Sequence, residues 1–364
     1  MTSSGPVAGF WEDPYPVYDD MHADGPVVWE EVSEAWWVVG YDAAREALTN
    51  DSLSSGWLSG GAFENIDAGI LRHIRQWFMW TDPPTHRDLR APITTKLTEK
   101  AVRERRDEIT ATVERYFAPM YGGTHDAITT FATPLVADLI ASLVGFPAES
   151  RPAMCAWSEA AAGLLANPRD EMHVRRAEEA LAALANAVSP TAGDSHTASL
   201  MAFAGVATTG EAIARMLDLE ADGRLRETGA SPESIVDELL RVDTPVPHVR
   251  RIATADTEIA GTPVAEGQAV VILIAAANRD PAVFERPDSF DPIRNGSRHI
   301  SYGHGRHRCP GAILSDRILL AVLLRLHAAE QPTRDQPATW HRNRGYRAVA
   351  NLPLTWQEKE LDKT

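Results

Sequence analysis

Cysteine is scarce in this 364-residue chain, which contains two, Cys155 and Cys309. Two cysteines cannot build a disulfide framework, so the chain is not a small disulfide-stabilised fold, and a reducing compartment is favoured. Residues 1–20 also lack the basic start and the apolar run of a signal peptide. We therefore expect a cytoplasmic protein.

Basic residues are also scarce relative to acidic residues. Lysine and arginine number 35 against 51 acidic residues, which gives a net charge of −16. This balance argues against a nucleic-acid partner and against an anionic membrane surface. No stretch of about 18 uncharged apolar residues stands out, so no membrane span is expected. Repeats, low-complexity linkers and breaks in composition are absent too, and we predict a single domain over residues 1–364.

Helical periodicity is what the chain does contain. It predicts helices over 41–50, 98–116, 131–144, 151–166, 169–188 and about 196–220. Segment 27–39 reads as two short strands, 52–68 as a Gly- and Ser-rich loop, and 246–271 as a small strand region. The sequence therefore predicts a mainly α fold with a small β region.

The most specific motif surrounds Cys309. It places this cysteine after a loop containing Gly303 and Gly305 and before Pro310, which suits a first helical position ahead of the apolar run 313–326. The positive end of a helix favours thiolate, and glycines allow a bulky planar group to approach the backbone. The arrangement suits a thiolate iron ligand beneath a haem.

Two other readings of this loop are weaker. His304, His307 and Cys309 could ligate zinc, but no second cluster supplies a fourth ligand. A phosphate-binding loop would need a strand–GxxxxGK–helix pattern, which the chain lacks.

Three further segments carry residues suited to a site. His86 and Arg90 are four residues apart and share a helix face, in a segment that Asp82 is predicted to cap. Glu238 and Arg241 are three apart on a helix capped by Ser231, a spacing that alone is typical of surface ion pairs. Segment 204–209 contains a glycine and two threonines in mid-helix, which suits helix packing or a bend.

Residues 302–311 resemble, throughout, the signature of the cytochrome P-450 superfamily of haem-thiolate monooxygenases, aromatic-Gly-x-Gly-x-His/Arg-x-Cys-x-Gly. Tyr302 stands where phenylalanine is more usual, and its hydroxyl needs a partner. The segment order agrees from residue 13 onward. The resemblance implies the family's helical triangular prism and heme b, iron protoporphyrin IX.

The resemblance also implies roles for individual residues. Cys309 would be the metal ligand, within a cofactor loop that includes Tyr302, Gly303 and Gly311. One haem propionate would bind His86 and Arg90, and the other Arg251, with His307 completing the set. Arg250 is the competing candidate for Arg251, but the Arg-x-Ala spacing favours Arg251. The buried face of the Glu238 helix would carry the Glu238–Arg241 pair as a structural lock.

By the same resemblance, Thr208 would assist proton delivery, with Thr209 as a substitute, because Ala207 stands where an acid is usual. The positions that would contact substrate are Trp57, Phe63, Phe78, Trp80, Phe203, Ala204, Ala207, Val246, His248 and Val349. The stretch between 82–90 and 204–209 is a few tens of residues shorter than in typical relatives, which implies a more open roof over the pocket.

The implied function is oxidation, and specifically hydroxylation, of a small organic or peptidic substrate from a biosynthetic pathway. Dioxygen would be the oxidant, and electrons would come through a ferredoxin or flavodoxin. One alternative is oxidative coupling or cyclisation without oxygen insertion. The other is a non-catalytic haem-binding recruitment module, in which loss of the cysteine or the propionate ligands would be expected.

Overall fold

The computed structural model describes residues 13–56, 58, 68–168, 170–187, 195–294, 298–334, 336–341 and 348–357. The α-helices in these ranges are α1 (Tyr15–Asp24), α2 (Tyr41–Thr49), α3 (Ala68–Ile74), α4 (Thr85–Lys96), α5 (Glu99–Glu104), α6 (Arg106–Phe117), α7 (Thr133–Val144), α8 (Arg151–Ala166), α9 (Glu171–Ala187), α10 (Ser195–Met201), α11 (Ala207–Ala221), α12 (Pro232–Val242), α13 (Ile274–Ala277) and α14 (Ala312–His327). Two π-helical turns, Ile128–Ala132 and Ala202–Val206, lead into α7 and α11. Helix dominates, as the sequence predicts.

The β structure is small and divided. The strands are β1 (Val27–Glu30), β2 (Ala35–Val38), β3 (Leu53–Ser54), β4 (Gly123–Asp126), β5 (Val249–Ala253), β6 (Thr257–Ile259), β7 (Thr262–Val264), β8 (Ala269–Ile272), β9 (Thr339–His341), β10 (Ala348–Asn351) and β11 (Pro353–Trp356). A mixed sheet has the order β1-β2-β8-β5-β3, in which the β2–β8 pair is parallel. The remaining strands form the antiparallel pairs β10-β9, β11-β4 and β6-β7. The sheet holds β5, which carries two arginines of the site.

The main core lies where α6, α7, α11, α12 and α14 pack against one another. Large side chains such as Phe117 and Trp157 are fully buried there. Burying each such aromatic side chain contributes about 1.5–3 kcal/mol. Gly205 allows close packing within this core, because a Cβ at that position would lie 2.9 Å from Ile140 Cδ1.

One continuous helical stretch in the described residues, His196–Ala221, runs through α10, the π-turn Ala202–Val206 and α11, and is long and apolar enough to cross a membrane by length and composition. Of its apolar 18-residue segment, 72% is buried inside the protein. Burial in the core therefore accounts for the apolar composition of this helical stretch. The sequence analysis did not identify it as long and apolar enough to cross a membrane.

Some helices have other bounds or caps than the sequence predicts. The predicted helix over 98–116 is broken at Arg105, which separates α5 from α6, and the Arg105 side chain donates to Glu108 Oε2 at 2.8 Å and to Ser142 Oγ at 3.3 Å. The pattern of apolar residues continues across this break, so periodicity alone did not reveal it. Helix α4 is not capped by Asp82; Pro84 occupies the N-cap position, and the Asp82 carboxylate accepts hydrogen bonds from Ser54 Oγ and Ser55 N.

Two long helices lie in the central stretch between α4 and α11. Helices α8 and α9 follow one another closely and pack together, and α8 also contacts the π-turn Ala202–Val206. A shorter and more open roof over the pocket stays a prediction.

Candidate functional site

The loop around Cys309 is shaped by glycine. Gly303 and Gly305 have φ values of +70° and +68°, which side chains rarely adopt. At Gly305 a Cβ would also lie 2.9 Å from Thr49 Cγ2. The Cys309 N–H donates to the Tyr302 carbonyl at 2.7 Å, which closes the loop.

Helix α14 begins later than the sequence predicts. Gly311 is its N-cap and Ala312 its first residue, so Pro310 is not at the first helical position. Cys309 therefore lies just ahead of the cap, where the Gly311 N–H hydrogen-bonds to its sulfur.

Burial is the largest influence on Cys309 and raises the pKa of the thiol, while Gly311 N–H, Arg90 and Arg308 oppose it. A metal ion bound to this sulfur would oppose the effect of burial, because a coordinating thiol is deprotonated.

Basic side chains gather at one edge of the loop. Arg251 is 6% exposed, and burial lowers its pKa to about 10. Burial, followed by Arg251 and His86, lowers the pKa of His307 to about 3. The His86 and His307 ring centroids are 4.3 Å apart, and Arg90 donates to the Arg308 carbonyl at 2.6 Å.

This basic edge fits a ligand that brings carboxylates. His86 Nε2 and Arg90 Nη1 are buried and have no hydrogen-bond partner among the described residues. The Asp82 carboxylate lies 4.0 Å from His307 Nε2. Its charge opposes the lowering of the pKa by burial at both Arg251 and His307. Two propionates would supply the missing acceptors and offset the burial of the cations. The residues present therefore fit a haem.

A cavity of about 1180 Å³ extends from the Cys309 loop to the π-turn Ala202–Val206 and the start of α11. Its wall contains Cys309, Thr208, Thr209 and much apolar surface. Thr208 Oγ1 donates to the Ala204 carbonyl at 2.7 Å, across the end of the π-turn Ala202–Val206. π-Turns are frequent at functional sites because they displace helix backbone from its regular path.

Most described residues predicted to contact substrate line this cavity. They are Phe78, Trp80, Phe203, Ala204, Val246 and His248. Two are not among the described residues that line it: Val349 is 2% exposed, packs in the main core, and donates its N–H to Glu211 at 2.8 Å, while Ala207 begins α11. Trp57 and Phe63 lie outside the described residues.

The Glu238–Arg241 pair is buried rather than a surface bridge. Both guanidinium–carboxylate hydrogen bonds measure 2.8 Å. Arg241 also donates to three carbonyls, and Glu238 accepts a backbone N–H; the partners are Asn278, Pro287, Ser289 and Asp291. The pair thus ties α12 to the chain that leads into the Cys309 loop.

Sequence reasoning missed the partner of Tyr302. The Tyr302 hydroxyl donates to Asp316 Oδ1 at 2.5 Å, and burial followed by Asp316 raises the pKa of Tyr302 well above its usual range. Asp316 lies in the second turn of α14, 14 residues after Tyr302, and no local spacing in the sequence indicates the pair.

The chain is similar to known proteins of one family. The family model described as Cytochrome P450 matches residues 233–346. Cytochrome P450 105C1 from a Streptomyces species is 32% identical, and the match covers 88% of this chain and 89% of that protein. Cytochrome P450 monooxygenase PikC from Streptomyces venezuelae is 28% identical, and the match covers 96% of this chain and 92% of that protein. The crystal structure of CalO2 is similar with a TM-score of 0.87 and 24% identity, covering 96% of this chain and 97% of that chain, which supports the fold.

Proposed function

Because this chain belongs to the cytochrome P450 family, and is therefore an oxidoreductase of the monooxygenase type with haem b as cofactor, we propose that it hydroxylates a small apolar or aromatic molecule. One observation carries the proposal: Cys309 and the Thr208–Thr209 segment of α11 line a single cavity. A substrate in this cavity would lie between the ligand loop and a hydroxyl-bearing wall.

Each part of the ligand loop has a role in the proposal. Cys309 would be the thiolate ligand of the iron, and the haem would supply activation of dioxygen when bound. Arg251 and His307 would hold one propionate, and His86 and Arg90 the other. The positive φ values at Gly303 and Gly305 would let a planar cofactor approach the backbone of the loop.

Proton delivery falls to the two threonines. Ala207 has no ionisable group, and the neighbouring Thr208 and Thr209 supply the hydroxyls at this part of the cavity wall. The Thr208 hydroxyl donates to the Ala204 carbonyl, so its oxygen is a fixed acceptor that can hold a water molecule or a protonated group of the substrate.

Thr208→Ala is expected to divert electrons from product to peroxide. The loss of a positioned proton donor lowers productive turnover by about 10²-fold or more, while substrate binding changes little. The measurement is peroxide formed per NAD(P)H consumed, with the compound from a panel of apolar and aromatic metabolites that shifts the haem absorption most. Thr208→Ser is the matched control and should retain coupling; equal uncoupling in both variants would contradict the role of the hydroxyl.

Oxidative coupling is the second candidate, favoured by the absence of an acid at Ala207. A substrate that loses two hydrogens in coupling can itself supply the protons that this chain lacks. Turnover under labelled dioxygen separates the two reactions: hydroxylation places one labelled oxygen in the product, and coupling places none. The recruitment-module reading is disfavoured, because Cys309 and the basic edge are both present.

A cytoplasmic location and a ferredoxin or flavodoxin donor belong to the same proposal. Arg308 is exposed beside the ligand, whereas Arg306 is paired with Asp51. A local cation can steer an acidic partner despite the overall negative charge.

Arg308→Glu is expected to slow reduction by a ferredoxin by about tenfold at low salt, because charge reversal replaces steering with repulsion. Stopped-flow kinetics measure the rate of reduction. Raising the salt concentration should bring the rates of wild type and Arg308→Glu closer together. Arg175→Glu, an exposed site on the roof helix α9, is the control. Similar rates for wild type and Arg308→Glu would place the docking surface elsewhere.

A further inference from the structure

Trp77 and Phe203 form a stacked pair at the wall of the cavity. Their ring centroids are 5.1 Å apart and their planes differ by 19°. Phe203 is half-buried and lines the cavity, whereas Trp77 is 1% exposed and is not among the described residues that line it. Trp77 therefore covers one face of Phe203 from behind, and the rest of the Phe203 ring is available to a molecule in the cavity.

The Ser199 hydroxyl holds Trp77 in place. It accepts the Trp77 indole N–H at 3.1 Å, donates to the His196 carbonyl at 2.9 Å, and lies 2.5 Å from His73 Nε2. A hydroxyl has one donor and two acceptor positions, so these three partners use its full capacity and His73 Nε2 donates. Ser199 is fully buried, so loss of its hydroxyl would leave the buried indole N–H without this acceptor.

Trp157 on α8 supports the same tryptophan from the side. The two indole rings meet edge to face, with centroids 6.0 Å apart and an interplanar angle of 83°. The Trp157 N–H donates to the Ser199 carbonyl at 2.8 Å. Helices α8 and α10 therefore fix the plane of the Trp77 ring, and Phe203 packs against a rigid support. A surface that is already rigid loses little freedom when it binds a ligand.

The rigid Phe203 ring favours one kind of ligand. An aromatic ring packed against another is stabilised beyond the burial of its surface, and an aliphatic group is not. Phe203 lies five residues before Thr208 in one continuous helical stretch, so a ring bound there would also adjoin the hydroxyl-bearing part of the wall. This part of the cavity therefore suits a planar aromatic ring better than a puckered aliphatic one.

We propose that Phe203, backed by Trp77 and held through Ser199, is a stacking platform that selects substrates with a planar aromatic ring. The inference rests on the proposed function, because it places this ring in the cavity that contains Cys309. It narrows the apolar or aromatic substrate to an aromatic one. Phe203 contacts the substrate in this account, and Trp77 and Ser199 are positioning residues.

Calorimetric titration of the haem-loaded protein with 2-naphthol and trans-decahydro-2-naphthol tests the proposal. The two compounds share a carbon skeleton and a hydroxyl group, and only the first is flat and aromatic. Wild type should bind 2-naphthol about threefold to tenfold more tightly, although the saturated compound has more apolar surface to bury. Phe203→Leu keeps the wall apolar but removes the ring, and should bring the two affinities within about twofold of each other.

Variants behind the platform separate positioning from stability. Trp77→Phe keeps a ring for stacking but loses the N–H donor, and Ser199→Ala loses the acceptor. Each should lower the ratio of the two affinities by at least about half. Trp356→Phe is the matched control, because Trp356 is a buried core tryptophan that is not among the described residues lining the cavity. It should leave the ratio unchanged even if urea denaturation shows a lower free energy of unfolding.

Trp77→Phe keeps the test possible if Ser199→Ala is too unstable to purify. The proposal is overturned if wild type binds 2-naphthol no more tightly than the saturated alcohol, including if it binds neither, or if Phe203→Leu retains the preference. It is also overturned if Trp77→Phe leaves the ratio unchanged, or if Trp356→Phe lowers it as much as Trp77→Phe does. The thiolate spectrum is read separately, so each of these outcomes leaves the proposed haem-thiolate function intact.

Discussion

Cys309→Ala protein is expected to lose the thiolate character of its haem and all substrate oxidation. The sulfur is the one thiol that faces the described cavity, and no other residue of the ligand loop can donate electron density to iron as a thiolate does. Ferric absorption and electron paramagnetic resonance spectra should change type, and NAD(P)H-coupled product formation should stop.

Cys155→Ala is the matched control for this variant. Cys155 lies on α8 and packs against the main core, where burial raises the pKa of its thiol. Its replacement should leave spectra and turnover unchanged. Retention of the wild-type spectrum by Cys309→Ala would show that another residue binds the iron.

The second large effect is expected for Glu238→Gln. The substitution leaves the fully buried guanidinium of Arg241 without its counter-charge, which typically costs about 3–5 kcal/mol. Total stability of a domain is about 5–15 kcal/mol, so this loss is a large share of it. Urea denaturation should show a much lower free energy of unfolding, and less haem should be recovered because the pair supports the approach to the Cys309 loop.

Glu233→Gln provides the comparison on the same helix. Glu233 is exposed in the first turn of α12, where a lost surface charge costs less than about 1 kcal/mol. If the two variants unfold at the same urea concentration, the buried pair does not have the structural role argued for it.

Segments governed by local pattern were predictable from the sequence. The helix predicted over 151–166 has exactly the bounds of α8, and the two strands predicted within 27–39 are β1 and β2. Ser231 caps α12 by accepting from Ser234 N at 3.2 Å, as its position implies. In these cases the determinants are neighbours in the chain, so periodicity and capping chemistry suffice.

Features that depend on distant contacts were not predictable. Asp82 could have capped α4, yet its carboxylate is engaged by Ser54 and Ser55 on another segment. Val349 was assigned to the pocket by its position along the chain, but packing of β10 places it in the core. No local pattern reports which of several possible partners a polar or apolar side chain finds after folding.

The candidate site also combines features set by local sequence with features that depend on distant contacts. Glycine spacing and the cysteine position were sufficient to predict the ligand loop. His86 and Arg90 were expected to share a face, but their meeting with His307 and Arg308, more than 200 residues away, required the fold.

The most direct measurement of the central claim is the carbon monoxide difference spectrum of the reduced wild-type protein. The account predicts an absorption band near the wavelength for which the family is named, because Cys309 thiolate binds iron opposite the carbon monoxide. The band should disappear in Cys309→Ala. A band at the shorter wavelength typical of a histidine-ligated haem in freshly purified wild type, or a thiolate band that persists without Cys309, would contradict the account.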